Sequence, residues 1–506
     1  MINQRKAGVI ISYVGQLVHI LTGLLYTPIM LRLLGQSEYG LYQLVNSVVS
    51  YLSLLSLGFS AAYIRFYARE KAKGDENGIA KLNGMFMIIF GVISFICILC
   101  GMAMITNIRG IFGSGLTDAE YFTARILMAL MVMNLALTFP NSVFNCIITS
   151  QERFLFQKTL ILLQYLLNPF FTLPLLLLGF GSVGMVTVST CLTLTVLLSN
   201  IFYCLKRLRT KFCFTGLRFS LLKEMWIFTF FIFLNQIVDQ VNWSVDKFLL
   251  GRMLGTTAVA VYGVGGQINN MYLQLSSSVS NVFIPKVNKI VAETGDDNEL
   301  TRLFTKVGRI QFFIMALILS GVTFFGQSFI YFWAGDGYDA SYAVTLLLIY
   351  PVTVPLIQNL GIEIQRAKNK HKVRSIVYFF MAIGNVFLSI PLIKLYGLVG
   401  AALGTTISLV IGNILFMNWY YYRRLGIDIW YFWKNIAKFI PALLLPTLLG
   451  ICSMIFVTYN SLAKLGGGII IYTIVYCVSI YFLGLNKEEK QMILGPLQRI
   501  FCKKNA

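Results

Sequence analysis

Residues 16–35, QLVHILTGLLYTPIMLRLLG, and residues 236–255, QIVDQVNWSVDKFLLGRMLG, carry one pattern twice, 220 residues apart. Each opens on a glutamine, runs through largely apolar residues and closes on a polar corner, Arg32-Leu33-Leu34-Gly35 in the first and Arg252-Met253-Leu254-Gly255 in the second. The register continues: Tyr42 maps on Tyr262, Ser60 on Ser280 and Ile64 on Ile284, and Gly74-Asp75-Glu76-Asn77 returns as Gly295-Asp296-Asp297-Asn298, one residue late. Further along, Asn168, Pro174, Gly181 and Gly184 recur as Asn385, Pro391, Gly397 and Gly400. A repeat on this scale means one architecture built twice, and in a membrane protein duplicated halves usually enclose one site and rock about it.

The chain is built for lipid. It is 57% hydrophobic and 12% charged, with mean hydropathy +0.74, whereas soluble domains carry about a quarter charged residues. Fourteen predominantly apolar runs reach the ~20 residues that cross a bilayer. The fold class expected is therefore all-α integral membrane, with about 14 transmembrane helices. The net charge of +21 does not point to nucleic acid. With both termini placed in the cytoplasm, all the Lys and Arg but Arg32, Arg109, Arg125, Lys247, Arg252, Lys394 and Lys464 fall on the inner side, which is the positive-inside asymmetry. Arg5-Lys6 precede a full-length apolar run with no small-residue cleavage site, so the first helix is expected to stay. Cys97 and Cys100 have CxxC spacing but lie in an uncharged stretch that disfavours thiolates, so packing is expected there, and neither a metal nor a cofactor is expected in the chain.

The offset divides the chain into residues 1–205 (six helices), a connector 206–225, residues 226–422 (six more helices) and 423–506, two helices and a tail outside the duplication. Six crossings return a chain to its starting side, so the two lobes are expected to be parallel, related by a pseudo-two-fold axis along the membrane normal. The connector mixes Lys206, Arg207, Arg209, Lys211, Arg218 and Lys223 with Phe212, Phe214, Leu217 and Phe219, which suits either an amphipathic segment on the inner surface or a solvated basic loop. No loop reaches domain size, and paired carboxylates, HExxH and a phosphate-cradling glycine loop are missing from the sequence, which argues against an enzyme.

Polar residues at helical period mark a helix side turned from lipid. Gln267, Asn270, Gln274, Ser277 and Asn281 share one face of the eighth span, and Gln43, Asn46, Ser50, Ser53 and Ser60 form its counterpart on the second. Matching stripes imply a shared polar cavity, the competing reading being polar glue between helices. Depth singles out His19 and Asp239, repeat mates about 11 or 12 residues into their helices, close to mid-bilayer at ~1.5 Å per residue. A charge there costs ~2.5–3.5 kcal/mol even on a lenient scale, so Asp239 is expected to face the interior. Both are ion-coupling candidates for a proton or sodium, as is Asp246 two turns on; a static bond from Asp239 to Asn242 or Asn235 is the plainer alternative.

Lys6-Ala7-Gly8, Pro28 to Gly35, Tyr39-Gly40-Leu41-Tyr42, Gly58 ahead of Ile64-Arg65, and Gly397 to Gly400 give the chain a resemblance, along its whole length, to the polysaccharide flippases of the Wzx type. These belong to the multidrug/oligosaccharidyl-lipid/polysaccharide (MOP) exporter superfamily. The resemblance implies a multi-pass protein of the bacterial inner membrane, with cytoplasmic termini. It would carry an undecaprenyl-pyrophosphate-linked oligosaccharide to the external leaflet by alternating access, for lipopolysaccharide or capsule. Its partners would be that lipid-linked oligosaccharide and membrane lipids. Sugars need the wet route that Gln43, Asn46, Ser50, Ser53, Gln267, Asn270, Gln274, Ser277, Asn281 and Asn242 offer, and a pyrophosphate needs cations, for which Arg65, Arg69 and Lys247 are candidates. The alternatives are an ion-coupled multidrug exporter of the same superfamily and, less favoured, a membrane enzyme of polysaccharide assembly.

Overall fold

The computed structural model describes residues 4–113, 115–217 and 220–491, and all regular structure among them is helical. The elements are α1 (Gln4–Val49), a 3-10 segment (Ser50–Ser56), α2 (Phe59–Ala72), α3 (Glu76–Thr106), α4 (Ile108–Phe112), α5 (Asp118–Ser150), α6 (Phe154–Leu177), α7 (Gly181–Phe202), α8 (Ser220–Leu254) and α9 (Thr256–Asn281). They continue as α10 (Ile284–Glu293), α11 (Asp297–Ala334), α12 (Ala340–Ile357), α13 (Leu360–Ala367), α14 (His371–Tyr396), α15 (Leu398–Leu409), α16 (Met417–Tyr420), α17 (Ile429–Ala437), α18 (Ile440–Phe456) and α19 (Leu462–Ser479). Among the described residues ten helices are long and apolar enough to cross a membrane, or eleven if the pair α17 and α18, bent by 48°, makes one span. The chain is a multi-pass membrane protein. The count falls short of the fourteen expected partly because residues 14–72, expected to hold two spans, form one 59-residue stretch.

Repeated sequence makes repeated turns. Gly35 (φ 73) breaks α1, and Gly255 (φ 87) separates α8 from α9; a side chain is strained at either backbone angle. Asp75 caps α3 by accepting the Gly78 amide at 2.7 Å, and its mate Asp296 caps α11 by accepting the Asn298 amide at 2.8 Å.

Contacts gather the residues into two compact units, one running to Val264 and taking in Ser375–Gly404, the other made of Gly265–Arg374 and the chain from Thr405. In the first, α1 packs on α6, α3 on α5 and α5 on α7. Its connector carries no helix over residues 208–217 before α8 begins at Ser220; the Cys213 backbone amide donates to the Ala80 carbonyl (2.9 Å) and Asn83 Nδ2 donates to the Lys211 carbonyl (2.9 Å), which holds it against α3. In the second, α11 packs on α12, α17, α18 and α19 around Phe325, Phe439, Tyr472 and Tyr476. There Arg309, 5% exposed, forks onto both oxygens of Glu489 (2.6 and 2.9 Å), bonds the Gly484 and Asn435 carbonyls and lies 4.4 Å over the Phe439 ring.

Candidate functional site

In the first unit α8 lies antiparallel to the path formed by the second half of α1, the 3-10 segment and α2. At one end Arg69 pairs with Glu224 (3.0 Å), and Gly58 sits against Ile232. Ser50 meets Gln240 and Ser244, and Lys247 donates to Gln43 Oε1 at 2.9 Å. At the far end Gly251 faces Leu44, and Gly40 lies so near Thr256 that a Cβ would overlap the Thr256 carbonyl. A hydroxyl cluster closes that end: Glu120 Oε1 accepts from Ser37 Oγ (2.7 Å) and Thr256 Oγ1 (2.8 Å).

This zipper parts between the 3-10 segment and α8. A cavity of about 370 Å³ opens between Ser53, Leu54 and Ser56 on one side and Gln236, Asp239, Gln240 and Trp243 on the other. Its cause is local. Uniform helix was expected across residues 39–63, but Ser47, Ser50 and Ser53 each turn a hydroxyl onto the carbonyl three residues back, at 2.7–2.8 Å. Serines at every third position suit the 3.0-residue turn of a 3-10 helix. Leu57 (φ 49) and Gly58 (φ 71) then end the segment in left-handed backbone, so Ser60 belongs to a separate helix. The second-span stripe is therefore bent rather than straight. Gln43 and Ser50 lie within the zipper, Ser53 lines the cavity, and Asn46 is exposed.

The ionisable candidates part company. Asp239 is exposed and lines the cavity. Asp246 is 1% exposed; it accepts the Tyr262 hydroxyl at 2.5 Å and Ser389 Oγ at 3.4 Å, while Ser389 also lies 3.0 Å from Asn385 Oδ1. His19 is exposed, with its ring 4.5 Å from that of Tyr165 on α6. Arg65 is exposed on α2, and Arg69 is held by Glu224 and by Glu70 at 3.4 Å. Asn242 is half-buried on α8.

In the second unit Asn270, Ser277 and Asn281 are exposed on α9, with Gln267 and Gln274 half-buried. The opposite side of α9 carries a polar row absent from the sequence expectation. Ser276 and Ser280 are buried there, and Gln311 Nε2 donates to both hydroxyls at 3.2 and 2.6 Å. That row is interhelical glue.

Sequence reasoning also left Gln236, Gln240, Trp243, Tyr262, Asn385 and Ser389 out of the site. The step from Gln236 through Asp239 and Gln240 to Trp243 keeps one helical face and was available as a signal. The pairing of Asp246 with α14 was not, because no pattern in one sequence reports which helices touch.

A family model described as polysaccharide biosynthesis protein matches residues 6–291, more than half of the chain. The chain belongs to the polysaccharide biosynthesis protein family. Within it, similarity extends to the uncharacterized membrane protein EpsK of Bacillus subtilis (strain 168), 22% identical over 489 residues and 94% of each chain. A putative O-antigen transporter of Shigella flexneri is 19% identical over 405 residues, 78% of this chain and 92% of that one. This family member also shares its fold with the lipid II flippase MurJ solved in an inward closed conformation, at TM-score 0.72 and 15% identity over 94% of this chain and 98% of that one.

Proposed function

We propose that the protein is a flippase for a lipid-linked oligosaccharide, with an undecaprenyl-pyrophosphate carrier, moving it from the cytoplasmic to the external leaflet of the bacterial inner membrane by alternating access. The observation that carries the reading is the polar cavity between the 3-10 segment and α8 in a chain of the polysaccharide biosynthesis family. A glycan needs hydrogen-bonding walls to cross lipid, and irregular backbone at membrane depth is tolerated where it lines such a space. The O-antigen transporter among the relatives supports the substrate class.

With both termini cytoplasmic, the Ser37–Glu120–Thr256 cluster lies outside and acts as the outer seal, and the Arg69–Glu224 pair lies inside. Arg65 then meets the pyrophosphate at the inner mouth, with Arg69 recruited when its exposed pair with Glu224 opens. Lys247, bonded to Gln43 near the outer end, receives the pyrophosphate later in the cycle.

Asp246 is the coupling group this reading favours over Asp239 and His19. A buried carboxylate ringed by Tyr262, Ser389 and Asn385 can exchange a proton or bind sodium as its surroundings change. The same acid would serve an ion-coupled drug exporter, which is the second reading. Complementation decides between them: in a strain lacking its flippase, return of surface polysaccharide supports the first. Failure there, with ion-dependent drug efflux by the same expressed protein, replaces it with the second.

A further inference from the structure

Gln236, Asp239, Gln240 and Trp243 share one face of α8 and form one wall of the ~370 Å³ cavity, with Ser53 and Ser56 opposite. That wall is rich in acceptors. Asp239 offers a carboxylate. Gln240 spends its amide hydrogens on Ser50 and Ser244, which leaves its Oε1 to accept. Ser53 gives its proton to the Ser50 carbonyl at 2.7 Å, which leaves its oxygen to accept. Beside these acceptors stands Trp243, 37% exposed, an indole whose face is electron-rich. A complementary ligand must bring several O–H donors on one edge and a flat C–H surface on the other. A pyranose ring does both, and the volume lies at the small end of ligand pockets, which suits a ring or two rather than a long chain.

We infer that this cavity is a sugar subsite for a neutral pyranose, stacked on Trp243 with hydroxyls donated to Asp239 and Gln240, and that it rejects acidic sugars. The reading deepens the flippase proposal and rests on it for why a glycan comes here. Its specificity follows from charge. A carboxylate accepts paired hydroxyls well, but a second carboxylate of a uronic acid brought beside it is repelled, and a site can select by such a penalty as well as by attraction.

Methyl glucoside and methyl glucuronide differ only at C6, one ending in CH₂OH and the other in a carboxylate. Their binding to the full-length protein in nanodiscs, followed by saturation-transfer NMR, tests the subsite directly. The expected result is methyl glucoside binding at least ~10-fold tighter than methyl glucuronide, with the strongest transfer on the C–H protons of one ring face. Trp243→Ala should weaken methyl glucoside ~10-fold, whereas Trp243→Phe, which keeps a ring, should stay within about threefold of the parent. Asp239→Asn should bring the two sugars within about threefold of each other.

Equal binding of both sugars by the parent, or undiminished methyl glucoside binding by Trp243→Ala, overturns the subsite. Equal loss in Trp243→Ala and Trp243→Phe also overturns it, because stacking would not then be the cause. Translocation of a neutral lipid-linked oligosaccharide in proteoliposomes is scored separately. Translocation without the sugar pattern removes the subsite and leaves the flippase, and the sugar pattern without translocation does the reverse.

Discussion

Thr256→Val is the sharpest perturbation of the proposed outer seal, because it keeps the shape and removes one hydroxyl. That hydroxyl donates to Glu120 Oε1 at 2.8 Å and lies 3.4 Å from Ser37 Oγ. Glu120 keeps Ser37 at 2.7 Å and its own capping contacts to Thr117, so the carboxylate is not stranded. A hydrogen bond to a charged group contributes ~1.5–3 kcal/mol; partial exposure lowers this to about 1–2 kcal/mol, a five- to thirtyfold rise in the population with the seal open. The assay is alkylation of Ser53→Cys, a cavity position, by a membrane-impermeant maleimide added from outside, with the native cysteines replaced. Thr256→Val should raise the labelling rate about tenfold, and Gly40→Ala, whose Cβ would overlap the Thr256 carbonyl, should raise it at least as much. Rates within twofold of the parent for both variants would refute the seal.

Asp246→Asn takes a charged acceptor from Tyr262 and Ser389; ion-driven accumulation should fall at least ~10-fold while exchange of substrate across the membrane persists, and unchanged accumulation over a pH and sodium series would clear Asp246 of coupling. Arg65→Ala should cut surface polysaccharide ~10-fold at normal membrane levels, and unimpaired polysaccharide would remove Arg65 from the pyrophosphate site. Glu489→Ala strands the buried Arg309 guanidinium and should destabilise the second unit by ~3–5 kcal/mol, whereas Arg309→Met with Glu489→Leu should recover most of the loss; thermal unfolding that ranks the double variant below Glu489→Ala would contradict this.

The membrane class and the repeated turns were legible because they rest on local chemistry. Gly35 and Gly255 break helices, and Asp75 and Asp296 cap them, wherever the rest of the chain lies. The polar character of Gln43, Ser50 and Ser53 was legible too, but the path that carries them was not. A stripe read at 3.6 residues per turn hid the three-residue step of Ser47, Ser50 and Ser53, which sets the 3-10 segment and opens the cavity. Depth made Asp239 a candidate, and Asp246 joined it as the acid two turns on. Only the packing of α9 and α14 on Asp246 separates a buried carboxylate from one that faces a cavity.

Duplication also explains where the two copies had to diverge. The one-residue slip that maps Gly74 on Gly295 maps Ile88 on Arg309. Ile88 is 38% exposed on α3, an apolar side chain at the surface of its unit. Arg309 occupies the equivalent turn of α11, yet it is 5% exposed and bonded to Glu489 and the Gly484 carbonyl. Both partners lie in the segment after residue 423, which has no counterpart in the first copy. A guanidinium at position 88 would have no such carboxylate, and an isoleucine at 309 would leave Glu489 buried without its cation. The extra C-terminal helices and Arg309 are therefore one feature, and a substitution in either is felt by the other.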